Sequence, residues 1–162
     1  MNDIRIVPAC SEDVPIILNL IRALGEYERM TNEVVATEES LRTWLFGERP
    51  AAEVVLAYAG ETVVGFALFF HNFSTFLGRP GLYLEDLFVI PEWRDRGIGR
   101  RLIIHLADIA VRRGCGRMEW AVLDWNESAI GFYERMGARV MKEWQLCRLT
   151  GDRLARVASG NS

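Results

Sequence analysis

One stretch limits the possible folds more than any other: Tyr83-Leu84-Glu85-Asp86-Leu87-Phe88-Val89-Ile90-Pro91-Glu92-Trp93-Arg94-Asp95-Arg96-Gly97-Ile98-Gly99-Arg100-Arg101. Tyr83 to Ile90 is rich in β-branched and aromatic residues and predicts a buried strand that stops at Pro91, which has no N–H to give to a sheet ladder. From Gly97 onward Ile98, Leu102, Ile103, Leu106, Ile109 and Ala110 recur at helical spacing, so the strand feeds a helix through a short turn. Gly97 and Gly99 let backbone N–H groups approach a ligand at the positive end of that helix. Arg94, Arg96, Arg100 and Arg101 crowd the same turn, which points to an anion with several charges, phosphates above all.

Two common phosphate motifs are absent. No Lys follows Gly99, as a P-loop requires, and the third glycine of a dinucleotide fingerprint is replaced by Leu102. The remaining Gly-x-Gly serves equally well as a plain turn with a solvated basic face. The adjacent carboxylates tilt that balance. In an unbroken strand Glu85 shares a face with Tyr83, Leu87 and Val89, and Asp86 with Leu84, Phe88 and Ile90. Both faces are otherwise apolar, and an ionised carboxylate there costs several kcal/mol unless it is paired or meets water. At least one of the two is expected to line a polar cavity; the alternative is an ion pair with an arginine.

The 162 residues suffice for one well-filled core, so residues 1–157 are expected to form a single domain, with a frayed tail at 158–162. Half of the residues are apolar and the net charge is -3, which speaks against nucleic acid as a partner. No apolar run reaches membrane-spanning length and no basic region precedes an apolar run at the N-terminus, so no membrane is expected and the cytoplasm is the expected compartment. Cys10, Cys115 and Cys147 fit neither a disulfide framework nor a zinc site; they are expected to be small packed side chains, and no metal is expected.

In order, Ile4 to Val7 predicts a strand. Ser11 opens a helix running to Tyr27, with Pro15 tolerated in its first turn and Ile16, Ile17, Leu20, Ile21 and Leu24 on one face. Thr37 opens a second helix that Gly47 stops. Val54–Tyr58 and Val63–Phe70 form a hairpin, and Asn72–Gly81 is expected to be a loop. After the glycine-bearing turn and its helix, Met118–Leu123 predicts a strand. Asn126 or Ser128 caps a helix that Gly137 closes, and Arg139–Met141 and Trp144–Leu149 are expected to be a last pair of strands. The sheet is therefore mixed. Ligands gather beyond the carboxyl ends of its parallel strands, here Ile90 and Leu123.

Arg94-Asp95-Arg96-Gly97-Ile98-Gly99 resembles the pyrophosphate loop of the GNAT superfamily of acetyl-CoA-dependent N-acetyltransferases, and Asn126 to Ala138 resembles its Asn-x(6)-Tyr-x-x-x-Gly-Ala helix. Glu26-Tyr27-Glu28, Tyr83-Leu84-Glu85-Asp86 and Trp125-Asn126 are most similar to the diamine (spermidine/spermine) and thialysine acetyltransferase group. The resemblance implies an α/β (α+β) fold, with a mostly antiparallel mixed sheet of six to seven strands, about four helices and a parallel pair at the cofactor cleft. It further implies that acetyl-CoA is the co-substrate, held by backbone groups of Leu87, Phe88 and Val89, by Arg94, Asp95, Arg96, Gly97, Ile98, Gly99 and Arg100, and by Asn126 and Tyr133. Tyr133 is then the general acid and Glu85, through water, the route by which the amine loses its proton; Tyr27, Glu28, Glu85 and Asp86 hold the substrate ammonium. A homodimer is the form common in this group. Read from the helix pattern alone, Tyr133 equally suits a packed core tyrosine.

Departures from the polyamine pattern bear on the substrate. Ser74 and Phe76 stand nearest the places of an acid and a tryptophan, and Lys142 and Glu143 straddle the place of a further acid. A small primary amine, lysine-like or thialysine-like, or a diamine, is therefore expected ahead of spermidine or spermine. A non-catalytic acyl-CoA-binding module and a protein N-acetyltransferase are the competing readings.

Overall fold

The computed structural model describes residues 3–160. The described residues fall into two compact units, one up to Ala121 and one from Val122 onward. In the first unit, β1 (Ile4–Pro8) is followed by α1 (Val14–Tyr27), α2 (Glu38–Phe46), β2 (Glu53–Ala59), β3 (Thr62–Ser74), β4 (Arg79–Val89), α3 (Ile98–Arg112) and β5 (Arg117–Trp120). The second unit contains α4 (Glu127–Arg135) and α5 (Gly151–Ala158). The sheet order is β1-β2-β3-β4-β5, antiparallel throughout except for the parallel pair β4-β5. This is the mixed α/β sheet expected, with five strands among the described residues rather than six or seven, and five α-helices rather than about four.

Local chemistry sets the element ends. Thr37 and Ser40 form a reciprocal cap: the Ser40 N–H donates to Thr37 Oγ1 (3.1 Å) and the Thr37 N–H to Ser40 Oγ (3.0 Å). Glu38 and Glu39 complement the positive end of α2. On one side of the sheet, α1 and α2 pack Val14, Ile17, Leu20, Leu24, Leu41 and Leu45 against Val54, Leu56, Phe66 and Phe88. Full burial of such a side chain is worth about 1.5–3 kcal/mol relative to exposure. Gly65 permits the close β3-β4 approach, since a Cβ there would stand 2.7 Å from the Phe88 carbonyl oxygen.

Several expectations need correction. Asn72–Gly81 is not a long loop: β3 and β4 continue pairing to Ser74 opposite Arg79, and only a four-residue turn joins them. Ser74 is buried and closes that turn, accepting the Leu77 N–H on Oγ (3.2 Å), while its carbonyl accepts the Gly78 N–H (2.8 Å). β5 ends at Trp120 rather than Leu123. Arg139–Met141 and Trp144–Leu149 form no strands; an apolar segment with no ladder partner leaves its backbone groups to water. The following residues instead make α5, which reaches Ala158, so the expected tail begins on a helix; residues 161 and 162 lie outside the described part. Cys10 and Cys147 are exposed rather than packed. Asp13 holds the Cys10 thiol above its ordinary pKa through a hydrogen bond, which makes it a poor nucleophile.

Candidate active site

The first unit carries a break in its sheet at the residues of interest. The β4-β5 ladder runs from Gly81 opposite Arg117 to Leu84 opposite Trp120 and stops there. On the other side of β4, Leu84 faces Phe69 and Asp86 faces Leu68, so Glu85 is an extra residue with no partner: a β-bulge. Phe69 and Leu68 point to opposite faces of β3. The bulge therefore puts Leu84 and Asp86 on opposite faces, where simple alternation had joined them, and turns Glu85 out into solvent. From Leu87 to Val89 the strand edge turned away from β3 is not paired with β5, leaving room for an extended ligand to hydrogen-bond as an added strand.

Three carboxylates act on one another at this break. Asp86 is pushed up to about 7, by burial first and then by the negative charges of Glu85 and Glu28. The Glu28 carboxyl is also raised, by burial and then by Glu85. The Tyr83 phenol is raised by burial, then by Glu85 and Glu119. Such a group favours a cation, which would relieve its internal repulsion.

Tyr27, at the last turn of α1, lies beneath the Arg94 guanidinium, whose central carbon stands 4.4 Å from the ring centre. The same guanidinium is 5.4 Å from the Phe88 ring centre, and Arg94 Nε donates to the Val89 carbonyl oxygen (2.9 Å). Arg96 stacks on Trp93 at 4.6 Å. Arg101 donates to the Ile4 carbonyl oxygen (2.9 Å), which ties the start of α3 to β1. Gly97 caps α3 at φ 76°, and Asp95 is at φ 59°. An added Cβ at Gly97 would meet nothing within 4 Å, so the space over the turn is open. The N–H groups of the first turn of α3 have no carbonyl of their own helix within reach. With Arg96 and Arg100 exposed beside them, this turn fits a pyrophosphate. Among the described residues no group of three His, Cys, Asp or Glu is placed to hold a metal ion.

In the second unit, Asn126 caps α4, its Oδ1 accepting the Ala129 N–H at 3.3 Å. Tyr133 packs its ring against Phe132, with centres 5.3 Å apart, and its carbonyl oxygen accepts the N–H groups of Met136 and Ala138 where the helix ends. The seven-residue spacing puts Asn126 at the start of the helix and Tyr133 two turns later on it.

Sequence reasoning missed the bulge, because nothing in Tyr83 to Val89 marks one residue as supernumerary. It also missed Glu28 acting on Asp86, since that proximity depends on α1 crossing the sheet. Two of the positions that depart from the polyamine pattern, Ser74 and Phe76, lie elsewhere in the first unit. The Ser74–Phe76 turn stands roughly 20 Å along β4 from Glu85, and Phe76 is fully exposed. A cavity of about 530 Å³ between β1 and α3 is lined by Ile6, Arg101, Ile104 and His105 among others and includes none of these carboxylates.

Residues 20–138 match the Acetyltransferase (GNAT) family. Thialysine N-epsilon-acetyltransferase of Bos taurus is 40% identical over 88% of this chain and 89% of its own length. L-ornithine N5-acetyltransferase of Arabidopsis thaliana is 37% identical over 94% of this chain and 87% of its own. Among solved structures, an integron cassette protein from the mobile metagenome of V. cholerae superposes with a TM-score of 0.81 at 28% identity, covering 98% of both chains. The strand break, the glycine-bearing helix entrance and matches of this extent converge: the chain belongs to the GNAT family of acetyltransferases.

Proposed function

We propose that this acetyltransferase moves the acetyl group of acetyl-CoA to the primary amine of a small molecule, a lysine-like or thialysine-like amino acid or a diamine. The observation that carries the reading is the carboxylate set at the strand break, Glu28 from the end of α1 with Glu85 and Asp86 of β4, the strand that leads into a turn shaped for phosphates. The names of the thialysine and ornithine acetyltransferase relatives support an amine of that kind.

Acetyl-CoA supplies an electrophilic thioester when bound. The rest of the work falls to this chain. The turn from Asp95 to Arg100 receives the pyrophosphate, and the unpaired edge of Leu87, Phe88 and Val89 aligns the pantetheine arm. Glu28 and Asp86, with the ring of Tyr27, hold the substrate ammonium. An ammonium of pKa about 10 cannot attack a thioester, so one proton must leave first; Glu85 accepts it through water. The amine nitrogen then bonds to the acyl carbon as the carbon–sulfur bond breaks. Tyr133 gives its phenolic proton to the departing sulfur and is reprotonated at the expense of the acylated nitrogen, which leaves as a neutral amide; Asn126 holds the acyl end of the donor. The reading extends to a cytoplasmic homodimer in which residues 1–157 act as one catalytic domain. Exposed Trp144, Leu146 and Leu149 are apolar surface that a second copy would cover.

The test is steady-state acetylation of an amine panel (thialysine, lysine, ornithine, short diamines, spermidine) by wild type and Tyr133→Phe. Release of CoA with a small amine, reduced about 10²-fold or more in the variant, is expected. Tight acetyl-CoA binding without CoA release against any amine would instead describe a binding module.

A further inference from the structure

The turn between β4 and α3 is crowded with arginines, yet they are not equivalent. Arg96 and Arg100 are exposed, whereas Arg94 is half-buried and turned back toward the sheet. Its Nε donates to the Val89 carbonyl oxygen (2.9 Å), and its central carbon stands 4.4 Å from the ring centre of Tyr27 and 5.4 Å from that of Phe88, the two rings being 6.4 Å apart and tilted by 54°. It thus joins the last turn of α1 to the end of β4. We propose that Arg94 is a positioning residue for the acceptor amine: its side chain latches the end of α1, which carries Tyr27 and Glu28, to the strand that carries Glu85 and Asp86.

Two features of the α1 end make such a latch useful. Like charges on Glu28 and Glu85 repel one another, which drives the helix end away from β4. The chain also leaves α1 through Arg29 at φ 61°, in the left-handed region that a non-glycine residue adopts only at a cost. That exit is held by the Met30 N–H on the Gly25 carbonyl (2.8 Å) and the Arg29 N–H on the Glu26 carbonyl (3.1 Å). Those bonds fix the turn but not its distance from β4. Arg94 fixes that distance, because a guanidinium can donate its Nε–H to a carbonyl while its central carbon stands against two rings; a lysine ammonium is a single compact charge at the end of a flexible stem.

The proposal rests on the amine-acetylating reading above, and its test separates the two. Arg94→Met, Arg94→Lys and Arg100→Met are compared by amine KM, by acetyl-CoA Kd from calorimetry, and by hydrogen exchange of residues 24–33. Arg94→Met is expected to raise the amine KM about tenfold, to change acetyl-CoA Kd less than about threefold, and to speed exchange in residues 24–33. Arg94→Lys should recover only part of this, and Arg100→Met should weaken acetyl-CoA while leaving the amine KM and the exchange alone. Weakened acetyl-CoA binding in Arg94→Met with an unchanged amine KM would make Arg94 a phosphate ligand and overturn the latch. If wild type acetylates no amine, the functional reading fails, and exchange then decides alone: faster exchange in Arg94→Met upholds the latch, unchanged exchange overturns it. Should Arg94→Met not fold, Arg94→Lys carries the same comparison.

Discussion

The two charged regions on either side of Val89 are built in opposite ways. Upstream, partly buried Glu28 and Asp86 are pressed by the negative charge of exposed Glu85, and desolvation and repulsion together raise the Asp86 carboxyl to about 7. Downstream, the positive character of the α3 entrance is carried by exposed Arg96 and Arg100 and by backbone N–H groups at a helix start. A buried charge responds to pH and hardly to salt, while an exposed one does the reverse. Under the proposed reading, the amine side is therefore tuned by protonation and the phosphate side by ionic strength.

The largest effect expected from disturbing this contrast is chemical. Glu85→Gln should lower kcat/KM about 10²-fold near neutral pH and remove or shift to higher pH the acidic limb of the rate profile. An identical profile would place the proton route elsewhere.

Asp86→Asn should act in two directions. The folded Asp86 carboxyl, near 7, keeps its proton between pH 4 and 7 while an unfolded one, near 3.8, loses it. The unfolded state then binds fewer protons, so stability attributable to this group falls as pH rises through that window and is flat outside it. Urea unfolding of Asp86→Asn should show a gain over wild type at pH 8, on the order of 2–4 kcal/mol, that vanishes by pH 4, together with a raised amine KM above pH 7. Equal stability at the two pH values would mean that Asp86 is better solvated than its position indicates.

On the other side, Arg96→Ala with Arg100→Ala should weaken acetyl-CoA about tenfold at low salt and by much less at 0.5 M NaCl. A salt-independent loss would show that these side chains support the turn rather than meet an anion. Smallest in stability terms is Gly97→Ala: an alanine at φ 76° costs about 1 kcal/mol, read as a lower urea midpoint, with no clash to add since the space around it is open.

What could be read from the chain divides along physical lines. The β4–turn–α3 sequence was legible because each part is local: Pro91 stops a strand, Gly97 enters a helix, and Ile98, Leu102 and Leu106 recur on one buried face. Thr37 and Asn126 announced their helices for the same reason. Trp144 to Leu149 misled because apolar content records a wish for burial, not the presence of a neighbour to pair with. The Asn72–Gly81 segment misled in the other sense: Gly78 and Pro80 suggested irregular chain, yet the ladder around them continues to Ser74 and Arg79. In the candidate site, the residue types could be listed from sequence. That Asp86 feels Glu28, and that Arg94 stacks on Tyr27 rather than pointing outward with Arg96, depend on elements distant in the chain.

The unpaired position of Glu85 has one more implication. Remove that residue alone and the partners on either side, Phe69 with Leu84 and Leu68 with Asp86, become successive rungs of an uninterrupted antiparallel ladder. The hairpin can thus do without the amino acid to which proton removal is assigned here. A lineage could lose or regain that step by a single codon's insertion or deletion and leave the neighbouring rungs aligned, so architecture and reactivity are free to change separately at this point in the chain.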